Sequence, residues 1–347
     1  MFGQWLLPYN EIVAQWVDPF YDAGADSHTS IMGNIGGSTE RSGGWLSSLF
    51  YNGSFNNSSD FTNAFGALAF NRRQEGVVQY VWPNTSAMAS QTRDGLQFRF
   101  AVTSGDGIEA QGVDSESPLG GRDVDPRIIS TGVSYQHNMA NGQIWLAAAY
   151  EQHEDVSAVN LSYSGEAEVG DIACDDSDDE GYRLAGRYKH DWGNGQSTWI
   201  AAMYEELEYD ASCQRVTAVD ANGKPTTSAD YNNTNAPIWS GVDRDAWMIS
   251  GKHAFGNGVD IRASYMDADE WDCDSDVCTS AAERDTDADA FNIGVFYTMP
   301  AGTELRATYS EVDNKDNAGY DFGINGTVPA TGADIEMFAV GIVHWFD

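Results

Sequence analysis

A chain of 347 residues with 53 acidic against 18 basic side chains carries a net charge of −35. So negative a molecule repels a phosphate backbone, which excludes nucleic acid as a partner, and suits a solvated outer surface in a salty or cation-rich medium. Mean hydropathy is −0.42 and no run approaches the ~18 apolar residues of a membrane helix, but a membrane strand shows lipid only every second residue, so low hydropathy does not exclude a strand-built membrane protein.

Alternation of apolar and polar residues predicts twelve strands, at about 2–7, 76–82, 95–104, 127–137, 143–152, 181–191, 196–208, 243–255, 258–267, 288–299, 303–312 and 335–346. Most have the ~10 residues that cross a bilayer when tilted. Within pairs the links are tight: NMANG (138–142), WGNG (192–195), FGNG (255–258) and MPAG (299–302). Between pairs they are long and acidic, at roughly 105–126, 156–179, 210–241, 267–287 and 313–334. A soluble sandwich has no reason to sort its connections in this way. An antiparallel barrel through a membrane does, with short turns on one rim and long loops on the other. The expected architecture is therefore all-β, a single transmembrane barrel over 1–347.

Between the first two strands lies an insertion, 8–75, too long for a structureless link in a compact domain. Its apolar anchors Ile12, Val13, Trp16, Val17, Phe20 and Tyr21 alternate with acids including Glu11, Asp18 and Asp22. That mixture suits a loop folded back into the lumen as a constriction. The parity of the strands supplies an opposing wall. Leu96, Phe98 and Phe100 face one way and Arg99 the other. Arg183, Arg187 and Lys189 oppose Tyr182, Leu184 and Tyr188; Arg262 opposes Ile261; Arg306 opposes Leu305. Lys252 shares that polar parity. With Arg72 and Arg73 at the end of the insertion, these scarce cations read as a charged pore lining. Trp145 and Trp199 have ambiguous parity. Aromatic residues near strand ends, such as Tyr80, Trp82, Tyr188, Phe255 and Tyr309, read as interfacial girdles.

Cys174 and Cys213 fall in successive long loops, and Cys273 and Cys278 share a third. Pairs 174–213 and 273–278 would staple one rim in an oxidising compartment. Free thiols or a metal site are the alternatives, although the absence of CxxC weakens a zinc reading. In DCDSDVCTSAAE, Asp272, Asp274, Asp276 and Glu283 fall at the ligand spacing of a Ca²⁺ loop, but Val277 replaces the glycine such a loop needs at its sixth position. A solvated acidic loop is the simpler reading and no cofactor is required, with looser Ca²⁺ binding across the acidic outer loops as the alternative. The histidines form no triad and no G-x-S-x-G motif is present, so no catalysis is expected.

Three segments carry a resemblance to a family: FGQWLLPYNEIVAQWVDPF with its Asp18-Pro19-Phe20 element, FNRRQEGVVQYVWPN followed by DGLQFRFAVTSGDG, and the closing FAVGIVHWF. In order and rhythm the chain resembles the general diffusion porins of Gram-negative outer membranes. The resemblance implies a 16-stranded barrel, a homotrimer set in outer-membrane lipid and lipopolysaccharide, and passive diffusion of small hydrophilic solutes and ions through a water-filled channel. Residues 2–7 then match the fifth strand, so about 12 strands are visible and four N-terminal ones are expected to be missing, in keeping with the absence of a visible signal peptide; a complete 12-strand barrel is the alternative, disfavoured because an insertion of ~65 residues would choke its lumen. The alternatives are a porin preferring an anionic or carboxylate solute, and a non-conducting surface adhesin or structural barrel.

Overall fold

The alternation written into the sequence is realised as one long antiparallel meander. The structure, a computed structural model, describes residues 2–9, 17, 73–83, 94–103, 127–154, 172–219, 225–227, 242–270, 272–273, 285–300, 302–316, 318 and 332–344. Its strands are β1 (Phe2–Leu6), β2 (Arg73–Trp82), β3 (Gly95–Thr103), β4 (Arg127–Met139), β5 (Gly142–Glu154), β6 (Ile172–Gly193), β7 (Gln196–Tyr209), β8 (Ala211–Val219), β9 (Pro225–Thr227), β10 (Val242–Phe255), β11 (Val259–Ala268), β12 (Asp272–Cys273), β13 (Ala288–Thr298), β14 (Thr303–Asn314) and β15 (Ile335–His344). The main sheet runs β1-β2-β3-β4-β5-β6-β7-β10-β11-β13-β14-β15. Each of its strands pairs antiparallel with the next, and β1 and β15 form its edges among the described residues.

These twelve main-path strands coincide with the twelve expected from alternation, to within a few residues at most ends. The differences lie on the long-loop side. β6 begins at Ile172 rather than near 181, so the acidic run 175–180 is strand, not loop. β8, β9 and β12 occupy stretches expected to be loop. Acidic residues have poor strand propensity, so pairing across the rim, not local preference, extends β6. After Asp210 the chain continues from β7 into β8, which pairs β6 above the main ladder.

In that extension the backbones of Cys174 and Cys213 are direct partners. Facing positions of an antiparallel pair lie within disulfide reach. Alkylation of the unreduced protein is expected to spare both cysteines, and Cys174→Ser to make Cys213 reactive. Labelling of Cys213 in the unreduced wild type would contradict the pairing.

The tight turns need residues tolerant of positive φ. In WGNG, Gly193, Asn194 and Gly195 all have it, and in FGNG so does Gly256. Gly256 is required twice over, because a Cβ there would meet the Asn194 carbonyl oxygen at 2.4 Å.

The two faces of the sheet are inverted relative to a soluble protein. One parity exposes Val78, Phe98, Leu146, Leu184, Ile200, Ile249, Val295 and Val340. The other buries Gln79, Gln97, Ser130, Glu151, Arg183, Glu205, Arg262, Asn292 and Arg306. Apolar surface this continuous is stable only against lipid. Aromatic residues mark both borders of the apolar band. Tyr150, Tyr182, Tyr204, Trp247, Tyr265 and Tyr309 lie towards the long loops, and Trp82, Tyr135, Tyr188, Phe255 and Tyr297 towards the short turns. The upper tyrosines donate to carboxylates beyond the band: Tyr150 Oη to Glu180 Oε1 at 2.9 Å and Tyr309 Oη to Glu311 Oε2 at 3.0 Å. An amphipathic ring with one end in lipid and one end wet suits this border.

Candidate functional site: the inner wall and its loop anchor

β1 ends at Leu6, and the chain then leaves the sheet for the inner side. Leu7, Tyr9 and Val17 are all buried. Pro8 lies over Gly132 of β4, 3.4 Å from where a Cβ would stand. The Tyr9 backbone amide donates to Ser130 Oγ on β4 at 3.1 Å. Its carbonyl accepts from Arg183 Nη1 on β6 at 3.0 Å, and its hydroxyl donates to Glu205 Oε2 on β7 at 2.9 Å. The Arg183 guanidinium also stacks on the Tyr9 ring, 3.7 Å from its centroid. Gly181 leaves the room for this, since a Cβ there would stand 2.8 Å from the Tyr9 hydroxyl. Further along, Ser250 on β10 donates to the Val17 carbonyl. Tyr9 and Val17 thus tie the start of the insertion to the inner wall from β4 to β10.

Glu205 is the hub of this anchor. It accepts from Arg183 Nε, and Arg244 Nη2 lies 4.0 Å from its other oxygen. All three side chains are fully buried. A buried carboxylate is tolerated only with charge partners and hydrogen bonds of this kind.

A second group of charges lies nearer the short turns. Asp260 and Arg262 on β11 repeat as Glu304 and Arg306 on β14, an acid-x-arginine pattern on one face. Arg262 Nε donates to Asp260 Oδ1 at 2.7 Å, and Arg306 Nε donates to Glu304. Phe296 of β13 stands between them, with the Arg262 guanidinium 3.7 Å and the Arg306 guanidinium 5.7 Å from its ring centroid. Lys252 Nζ reaches Asp260 Oδ2 at 3.2 Å, and Lys189 Nζ reaches Asp191 at 3.0 Å. The lysine side chains stay 28% and 37% exposed, against 5% and 4% for Arg262 and Arg306. Of these four cations, the lysines are therefore the more accessible. Arg99 and Arg187 sit nearer mid-strand and are half-buried. Arg187 Nη2 donates to Gln143 Oε1 at 2.9 Å.

Every cation expected on the wall whose side chain is described has inward parity: Arg99, Arg183, Arg187, Lys189, Lys252, Arg262 and Arg306. Arg183 is locked under Tyr9, and Arg262 and Arg306 are buried beside Phe296 and their carboxylates, whereas Arg99, Arg187, Lys189 and Lys252 stay partly exposed. Arg73 starts β2 opposite Leu6. Arg72, Glu11, Asp18 and Asp22 lie outside the described residues. So do Asp274, Asp276, Cys278 and Glu283, whereas Asp272 and Cys273 form β12 and pair Asp243 and Val242 of β10. Among the described residues no cluster of three metal-ligating side chains is present.

Sequence reasoning missed Tyr9, Glu205 and Arg244. Parity held the signal for the last two: Glu205 opposes Tyr204, and Arg244 opposes Trp247 and Ile249. The ambiguous Trp199 obscured it on β7. Trp145 and Trp199 both lie on the inward parity, Trp145 buried and Trp199 half-buried beside Arg187.

The long-loop rim is crowded with carboxylates. Burial, then the neighbouring Asp267 and Asp245, push the Asp269 carboxyl above its ordinary range against the pull of Arg244. Burial does the same to Asp287. The axis thus runs from an acidic rim to a wall whose cations gather at mid-strand and towards the short turns.

The profile described as Gram-negative porin matches residues 158–317. No curated protein sequence matches the chain. Among solved structures, an anion-selective porin from Comamonas acidovorans is similar at TM-score 0.53 and 14% identity, covering 99% of this chain and 73% of that one. OmpT from Vibrio cholerae gives 0.49 at 14% identity, covering 99% and 75%. The matched profile, the inverted faces and the shared fold agree: residues 158–317 carry the Gram-negative porin profile, and the chain has the fold of a β-barrel protein of the bacterial outer membrane.

Proposed function

We propose that the chain forms a water-filled passage for passive diffusion of small hydrophilic solutes and ions, narrowed by the insertion that starts at Leu7. The observation that carries this is the polar, charge-bearing face turned inward, with Tyr9 and Val17 bonded across it from β4 to β10. Association as a homotrimer is part of the same reading and rests on the family. The channel performs no covalent chemistry.

The row of lumenal cations favours an anion-preferring version over a neutral one, and the Comamonas neighbour is itself named anion-selective. In planar bilayers the reading requires ohmic conductance from folded protein; its absence would sink both versions and favour a plugged or adhesive barrel. Charge selectivity is read from the zero-current potential in a KCl gradient. A unit charge ~6 Å from a permeating ion in a water-like dielectric is worth about 0.7 kcal/mol, roughly threefold for each ion and of opposite sign for K⁺ and Cl⁻. Arg99→Ala is therefore expected to raise the K⁺ to Cl⁻ permeability ratio by up to about tenfold. An unchanged potential would remove Arg99 from the lumen.

A further inference from the structure

The chain has six histidines, and four of them, His137, His190, His253 and His344, share one location. All lie on the outward, lipid-facing parity, each in the last residues of its strand at the short-turn rim. They also share a mode of attachment, because the protein engages each ring through Nδ1. The Tyr188 hydroxyl meets His190 Nδ1 at 3.1 Å. The Thr198 hydroxyl meets His253 Nδ1 at 2.7 Å, and the Thr303 hydroxyl meets His344 Nδ1 at 2.8 Å. Asp94 Oδ1 lies 3.4 Å from His137 Nδ1.

Trp192 Nε1 also donates to the Thr198 oxygen at 2.8 Å, so that one hydroxyl links Trp192 to His253. Aromatic rings buttress two of the imidazoles edge-on: Trp192 against His190 at 4.2 Å and Phe255 against His253 at 4.4 Å between centroids. Among the described residues, Asp94 beside His137 is the only carboxylate set against this ring; Tyr188 faces His190, and β7, β11 and β14 bring none. The other rim is the opposite, since its outward parity carries Glu180, Glu206, Asp245, Asp267, Asp289 and Glu311.

We propose that the four histidines form a docking surface for the phosphate groups of anionic phospholipid at the short-turn face of the bilayer, engaged when the imidazoles are protonated. Nε2 is the nitrogen that a lipid phosphate meets at His137, His190 and His253. Imidazole is the side chain whose charge changes between pH 5 and 8, and an imidazolium–phosphate contact is a charge-assisted hydrogen bond. Among the described residues, a chain of net charge −35 with an acidic opposite rim has little else on its lipid-facing surface to attract an anionic headgroup.

The test compares the full chain in vesicles of phosphatidylcholine alone and of phosphatidylcholine with phosphatidylglycerol. Phosphatidylglycerol is expected to raise the thermal midpoint at pH 5.5 and to leave it unchanged at pH 7.8. Replacing all four histidines by glutamine is expected to abolish the rise. An equal rise at both pH values, or a pH-dependent rise that survives the four replacements, overturns the proposal. The wild type supplies a second readout. In bicelles at pH 5.5, the four rim imidazole resonances are expected to change chemical shift when phosphatidylglycerol is added, while those of His153, buried on the inner wall against Glu151, stay where they are. Rim imidazole resonances unaffected by the anionic lipid overturn it equally.

Discussion

Glu205→Ala is expected to cost about 3–5 kcal/mol of unfolding free energy, because it strips the counter-charge from buried guanidinium groups. Arg183 and Arg244 both converge on this carboxylate with fully buried side chains. The same substitution removes the acceptor of the Tyr9 hydroxyl, so the insertion loses its hold on β7 as well. The functional consequence follows from position: a segment tied across the lumen sets its free cross-section only while it is tied. Glu205→Ala is therefore expected to show larger current fluctuations in the open channel than the wild type. Tyr9→Phe keeps the ring under Arg183 and loses one hydrogen bond to a charged group, a smaller cost of about 1.5–3 kcal/mol. Denaturant unfolding of protein refolded into vesicles measures both costs, and single-channel recording measures the noise. A Glu205→Ala protein within 1 kcal/mol of wild type, with quiet currents, would mean that the cluster does not hold the segment.

The anchor separates two kinds of cation that look alike in the sequence. Arg183 and Arg262 both alternate with apolar neighbours on long strands. Arg183 is committed to a buried carboxylate and a tyrosine ring. The second group keeps Lys189 and Lys252 partly exposed and holds Arg262 and Arg306 against Phe296. Stability is thus expected to respond to the first group and selectivity to the second.

What was legible in the sequence was everything imposed by periodicity. A strand with lipid on one side and a polar lumen on the other must alternate, so β13, β14 and β15 could be placed within about two residues of their ends, and the facing of Arg99 and Arg306 came with them. What was not legible depended on partners far away in the chain. The first residues of β6 carry five acids in the run 175–180 and have no strand preference of their own; they are strand because β8 pairs the stretch up to Ser177 and β5 pairs Asp178, Asp179 and Glu180. Tyr9 reads as one more aromatic after β1, and its role exists only because Ser130, Arg183 and Glu205 converge on it from three other strands. Trp145 and Trp199 misled for a related reason: an apolar ring pointing into a polar interior breaks the alternation, and only the neighbouring Arg187 explains its place.

Leu184→Arg tests the inverted faces most directly. Leu184 lies on β6 between Tyr182 and Tyr188, one from each aromatic border, and is 59% exposed although strongly apolar. Its direct partners are Ala148 on β5 and Tyr204 on β7, neither of which offers a counter-charge. An arginine at the bilayer midplane of a barrel costs about 2–4 kcal/mol, falling to about 0–1 at the interface. Met139 has the same outward parity but sits at the short turn between β4 and β5, so Met139→Arg is expected to fall at the low end. Burial alone would not produce that ordering: both residues are exposed, and in water both substitutions would be close to neutral. Refolding equilibria in vesicles should therefore rank Leu184→Arg well below Met139→Arg in stability. Equal costs would mean that the apolar face does not meet the hydrocarbon core, and that the charged parity is not the inside of a channel.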